Sequence, residues 1–155
     1  MKGFDCGDHT LNQWLQQRAL ANQRSGATRT VVVGDADHVV KAYVALASGA
    51  VAVAASPGSF RRNMPDPIPV VVLARLAACR SVQGQGIARA LLADAFERVL
   101  LTSQQIGVRG IVVHAASAAA RTFYLHMGFD PSPSDPSLLL LRLSDVAAAL
   151  EASAK

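Results

Sequence analysis

The amino-acid sequence predicts an α/β (α+β) domain, and three observations predict it. Apolar residues at helical spacing open the chain and give way to β-branched runs. A β-prone run then passes through a glycine-rich turn into a helix, and a second helix is bracketed by two further apolar runs. At 155 residues the chain has the length of one domain, 1–155, with 144–155 as a possible C-terminal tail. Hydrophobic residues make up 51% and charged ones 17%, which excludes a disordered tail and supplies a sizeable core. The net charge of +4 fits an anionic ligand without demanding one.

Each element follows from local pattern. Between residues 8 and 24, Leu11, Trp14, Leu15 and Ala19 recur at helical spacing, with Asp8 or Thr10 as N-cap. Residues 30–33, the polar tip 34–37 and residues 39–46 read as a hairpin, continued by a third strand segment at 50–54. Residues 42–60 carry no charge, but Ser48-Gly49 interrupts them and Ser56-Pro57-Gly58 closes them. Two buried strands around a bend therefore fit better than a bilayer span, and no membrane contact is expected. Four prolines and the pair Arg61-Arg62 make 57–69 a surface loop. Residues 70–77 form the next strand, 83–88 a glycine-rich turn, and Ala88, Leu91, Leu92, Ala95 and Val99 one face of the helix it launches. Residues 110–115 read as a strand, and Ser117 caps a helix carrying Ala120, Phe123, Tyr124 and Met127 that ends at Gly128. A last strand covers 138–143, and the Ala-rich remainder is a helix or a frayed end.

The turn carries the chemistry. Gln83-Gly84-Gln85-Gly86-Ile87-Ala88-Arg89 places backbone N–H groups at a helix start, where the helix dipole adds partial positive charge, so the segment suits a phosphate. Gly84 and Gly86 let the backbone approach a pyrophosphate closely, and Ala88 keeps the first helical turn narrow. No Gly-Lys-Ser/Thr follows, so it is not a Walker loop, and Arg89 stands where a dinucleotide fingerprint needs its third Gly. Cys6-x-x-His9 lacks a second ligand pair, so no metal is expected. Two cysteines without a C-x-x-C pair and no signal-peptide pattern make a reducing cytoplasm the expected compartment.

Gln83-x-x-Gly86-x-Ala88 after a β-run, with Ser117, Ala120, Tyr124 and Gly128-Phe129 downstream, resembles the acetyl-CoA motif of the GNAT acetyltransferase superfamily. The resemblance implies a GNAT fold, a central mixed, mostly antiparallel sheet flanked by helices, with acetyl-CoA as co-substrate. It further implies a pantetheine-binding strand at about 73–77, including Leu76 and Ala77. Pyrophosphate contacts would come from Gln83, Gly84, Gln85, Gly86, Ile87, Ala88 and Arg89, with Ser117 as a further cofactor contact. Tyr124 would be the acid that protonates the departing thiolate, since a phenol with pKa near 10 can donate to a thiolate whose acid has pKa about 8.5.

Over most of its length the chain is similar to the GNAT toxins of bacterial type II toxin–antitoxin modules. The likeness is carried by Phe4-Asp5-Cys6-Gly7, Leu11-x-x-Trp14-Leu15, Gly26-Ala27-x-Arg29-Thr30, Leu73-Ala74-Arg75-Leu76-Ala77 and the run from His114 to Phe129. It implies acetylation of the α-amine of charged tRNA, a block of translation, a ribbon–helix–helix antitoxin as partner and a homodimer. Residues 1–89 carry about +5 and the remainder about −1, an asymmetry that favours a polyanion. Arg24, Arg29, Arg61, Arg62 and Arg75 are the candidate tRNA contacts, because guanidinium forks suit phosphate. Only Met1-Lys2-Gly3 precede Phe4, so the family's first strand is expected to be missing, and Ala88 stands where many relatives have Gly. Two other readings remain open. One is an enzyme acting on a small amine or a protein N-terminus, and the other is a truncated, non-catalytic CoA-binding relic.

Overall fold

The structure is a computed structural model that describes residues 3–153. In chain order the elements are α1 His9–Gln17, α2 Ala19–Ser25, β1 Arg29–Gly34, β2 Val40–Val51, α3 Gly58–Arg61, β3 Ile68–Ala78, α4 Ile87–Ser103, β4 Gly110–His114, α5 Ala118–His126, β5 Asp130–Pro131, β6 Leu138–Arg142 and α6 Leu143–Ser153. The strands make one mixed sheet in the order β1-β2-β3-β4-β6-β5. The expected fold class therefore stands, with β1 on the edge and no strand ahead of α1 among the described residues. Residues 154 and 155 of the expected tail lie outside the described residues, and the rest of that tail is α6. Among the described residues no helix is long and apolar enough to cross a membrane.

The chain divides into two compact units, with β2, β3 and α4 running from one into the other. The first holds α1, α2, β1, β2 as far as Ala47, and residues 73–95. Asp8 caps α1 through its carboxylate, which accepts the Thr10 N–H at 2.9 Å, and Leu15 and Ala19 point inward. The single expected helix is broken at Arg18, where φ is −119°, and α2 ends at Gly26 in the left-handed region that glycine tolerates best. Their apolar face packs with Phe4 against Tyr43 and Ala77 of the sheet, with Trp14 stacked on Tyr43 at 5.7 Å. The Tyr43 hydroxyl donates to the Leu11 carbonyl at 2.7 Å, so this buried phenol has a structural partner. Strand β1 pairs antiparallel with β2 from Arg29 opposite Leu46 to Gly34 opposite Val40, the hairpin expected around the polar tip.

The second unit holds residues 48–72 and 96 onward. The expected bend at Ser48-Gly49 is absent, and β2 runs unbroken to Val51. Gly49 serves close packing instead, since a Cβ there would sit 2.5 Å from Val72 Cγ2. Residues 53–55 form a 3-10 turn rather than strand, so the hairpin has two strands, not three. The proline-rich loop contains α3, which buries Phe60. Arg109 clamps that helix, donating from Nε to Phe60 O and from Nη2 to Ser59 O, both at 2.8 Å. Val70, Val112, Leu138 and Leu140 fill the core around Phe60. β4 pairs antiparallel with β6, and at Gly110, opposite Arg142, a side chain would collide with the Leu141 carbonyl.

Candidate active site

The glycine-rich turn belongs to the first unit. Strand β3 ends at Ala78, the Cys79 N–H donates to Lys41 O at 2.7 Å, and a 3-10 turn over Arg80–Val82 delivers the chain to Gln83. Gly84 and Gly86 have φ of +82° and +80°, and a Cβ on either would meet nothing within 4 Å. The glycines are therefore demanded by backbone conformation, while the open space beside them is room for a ligand. The ladder of α4 starts with the Ala90 N–H on Gly86 O at 3.0 Å, leaving the amides of Ile87, Ala88 and Arg89 at the helix mouth. Ile87 and Ala88 are half-buried and Arg89 is exposed. Short residues, open backbone and a 17-residue helix dipole together fit a diphosphate.

The motif assigns Gln83 to the cofactor, yet its Nε2 donates to Cys6 O and to Ala78 O, each at 2.8 Å. Both N–H bonds of the Gln83 side-chain amide are engaged by the protein. Gln85 donates to Ser81 O at 3.5 Å, closing the turn on itself. Leu76 is half-buried and Ala77 buried on β3.

Tyr124 and Ser117 belong to the second unit. Ser117 accepts the Ala120 N–H at 3.1 Å as the cap of α5, which fixes the rotation of that helix. Tyr124 is 5% exposed and sits edge-on to Phe123 at 5.3 Å and Phe129 at 5.4 Å. Burial pushes its phenol pKa upward, so it stays protonated and available as a donor. Tyr43 is also raised, by burial first, but its proton is committed to Leu11.

The candidate tRNA arginines fall into separate groups. Arg29 donates from Nη1 to Gln23 O at 2.8 Å, near the last turn of α2 that carries Arg24, and both are exposed. Arg75 lies with its Cζ 5.6 Å above the Trp14 ring centroid and donates from Nη1 to Ala74 O at 2.8 Å, while its Nε is buried without a partner. Arg61 and Arg62 are exposed in the second unit, Arg61 as the last residue of α3. The acidic residues near the N-terminus serve structure, Asp8 as a cap and Asp5 as an acceptor from Gly7 N–H and Asn12 Nδ2. His114 stands 3.9 Å from Asp135 on the exposed end of β4. Among the described residues no three His, Cys, Asp or Glu side chains gather as a metal site would require.

A family model described as an acetyltransferase (GNAT) domain matches residues 27–131. The tRNA-acetylating toxin of Mycobacterium tuberculosis is 47% identical over 145 residues, covering 94% of this chain and 87% of the relative. The chain belongs to the GNAT acetyltransferase family. Among solved GNAT toxins, AtaT complexed with acetyl-methionyl-tRNAfMet superposes with a TM-score of 0.86 at 31% identity, over 94% of this chain and 88% of AtaT. A tyrosine-to-phenylalanine mutant of AtaT bound to the C-terminus of the antitoxin AtaR and acetyl-CoA gives 0.80 at 27% identity, over 96% and 88%. The expected GNAT fold and N-acetyltransferase class hold for this chain.

Proposed function

We propose that this GNAT enzyme moves the acetyl group of acetyl-CoA onto the α-amine of aminoacyl-tRNA and thereby blocks translation. The observation that carries the reading is the 47% identity, across 94% of the chain, to a tRNA-acetylating toxin. Acetyl-CoA supplies an activated acyl carbon. The amides of Ile87, Ala88 and Arg89 hold its diphosphate, and the backbone of β3 near Leu76 and Ala77 receives the pantetheine arm. The amine lone pair forms the new C–N bond as the C–S bond breaks. Tyr124, neutral in its buried setting, donates its hydroxyl proton to the departing sulfur, and the proton released by the amine returns through water to the phenolate, restoring the enzyme. An α-amine needs little help in losing a proton, since its reference pKa is about 7.7–8.0. Arg24, Arg29, Arg61, Arg62 and Arg75 are the tRNA contacts of this reading. An antitoxin of ribbon–helix–helix type, a homodimer and action in the cytoplasm belong to it as well.

Incubation of the purified chain with labelled acetyl-CoA and a charged tRNA pool tests it. Label should enter the aminoacyl moiety of tRNA. Label confined to free amino acids or polyamines would replace the toxin reading with a small-amine transferase.

A further inference from the structure

Residues 4–7, ahead of α1, reach the phosphate turn and hold it. Asp5 O accepts the Arg80 N–H at 2.8 Å, and Cys6 O accepts from Gln83 Nε2 at 2.8 Å. The second N–H of that amide goes to Ala78 O, so Gln83 ties the N-terminal segment to the end of β3. Asp5 gives the segment its shape. Its Oδ1 accepts from Gly7 N–H at 3.0 Å and Asn12 Nδ2 at 3.2 Å, and lies 3.6 Å from Arg80 Nε. Cys6 N–H donates to Asn12 Oδ1 at 2.9 Å. Gly7 has φ of +95°, and a Cβ on it would lie 3.3 Å from Arg80 Nε, so the hook needs glycine for both conformation and room.

We propose that this hook, acting through Asp5 and Gln83, positions the turn for acetyl-CoA without touching the ligand. Gly84 and Gly86 have nothing packed against their Cβ directions, so the turn has little side-chain packing of its own to fix it. Anchoring residue 83 from one side while α4 fixes residue 87 from the other leaves only residues 84–86 to order. Binding then begins from a preset shape, which raises affinity by lowering the ordering cost. Asp5 and Gln83 are positioning residues, and the inference rests on the turn being the CoA diphosphate site.

Isothermal titration with CoA at neutral pH, alongside KM for charged tRNA and a thermal melt, separates the possibilities. Asp5→Ala and Gln83→Ala should each raise the CoA Kd about threefold to tenfold, the scale of one lost hydrogen bond. The KM for charged tRNA and the melt should stay near the parent's. Gln83→Glu should bind CoA more weakly than Gln83→Ala, because a carboxylate would face two carbonyl oxygens. Asp5→Asn, the gentler variant, keeps an acceptor for Gly7 and should fall between parent and Asp5→Ala. Because both residues hold one hook, the double variant should lose no more than the worse single one.

Gly86→Val is the control for the turn itself. If it abolishes CoA binding while Asp5→Ala and Gln83→Ala bind like the parent, the hook is overturned and the turn stands. If Gly86→Val also binds like the parent, the diphosphate site itself is wrong. Fully additive losses, or a rise in the KM for charged tRNA equal to the rise in the CoA Kd, would overturn a shared hook acting on the turn.

Discussion

The proposed reaction asks Tyr124 to serve a core and a chemical step at once. Its ring packs between Phe123 and Phe129 while burial keeps the phenol protonated, so packing also fixes the proton inventory. Tyr124→Phe removes only the donor, and kcat should fall by about 10²–10⁴ while CoA affinity stays put. Because the phenol pKa is raised, no loss of activity from its ionisation should appear up to about pH 10, the ordinary phenol value, as a rate profile would check. Asp5 is displaced the other way. The Gly7 N–H above all, then the Asn12 amide and the Arg80 charge, hold its carboxyl below the ordinary value. A depressed pKa means the hook gains from ionised Asp5 above the usual carboxylate range and loses it as pH falls through the lowered value. CoA affinity measured by titration should therefore show no Asp5-linked change between about pH 5 and 8 and should weaken below about pH 4. The identity of Gln83 was legible in its motif, but its hydrogen bonds to Cys6 and Ala78 were not. Its partner carbonyl on Cys6 is 77 positions away, and no local periodicity encodes so long a side-chain bond.

At the scale of elements, the sequence revealed what repeats. The polar tip between two apolar runs marked β1 against β2, the Ser117 cap and Gly128 bracketed α5, and the glycines marked the start of α4. It concealed what depends on distant packing. No Gly or Pro announces the break at Arg18, α3 has only four residues, and β5 has two and exists through its pairing with β6. Gly49 misled because glycine marks bends and close approaches alike, and only the Val72 side chain decides between them. Gly49→Ala should consequently destabilise the fold by about 1–3 kcal/mol through overpacking. A thermal melt would register this as a lower Tm, and an unchanged Tm would show that Val72 yields freely.

At the scale of the whole molecule, no linker marks the boundary between the two compact units, because it falls inside β2, β3 and α4. Composition therefore could not locate it, whereas the charge asymmetry was readable directly, with about +5 over residues 1–89. A field of that kind acts on a polyanion through counterion release, so it should appear as a salt slope. Arg61 and Arg62 are suited to test this, being exposed and outside the hydrogen bonds that hold α3 to Arg109. Replacing both by Glu should raise the KM for charged tRNA and flatten its dependence on log salt by about one unit for each phosphate that is no longer neutralised. CoA affinity and Tm should not move, since the substitutions touch neither the phosphate turn nor the core. A parent-like slope would take these two arginines out of the tRNA surface. It would leave Arg24, Arg29 and Arg75 in the first unit to engage the polyanion, and the same measurement on those variants would then decide.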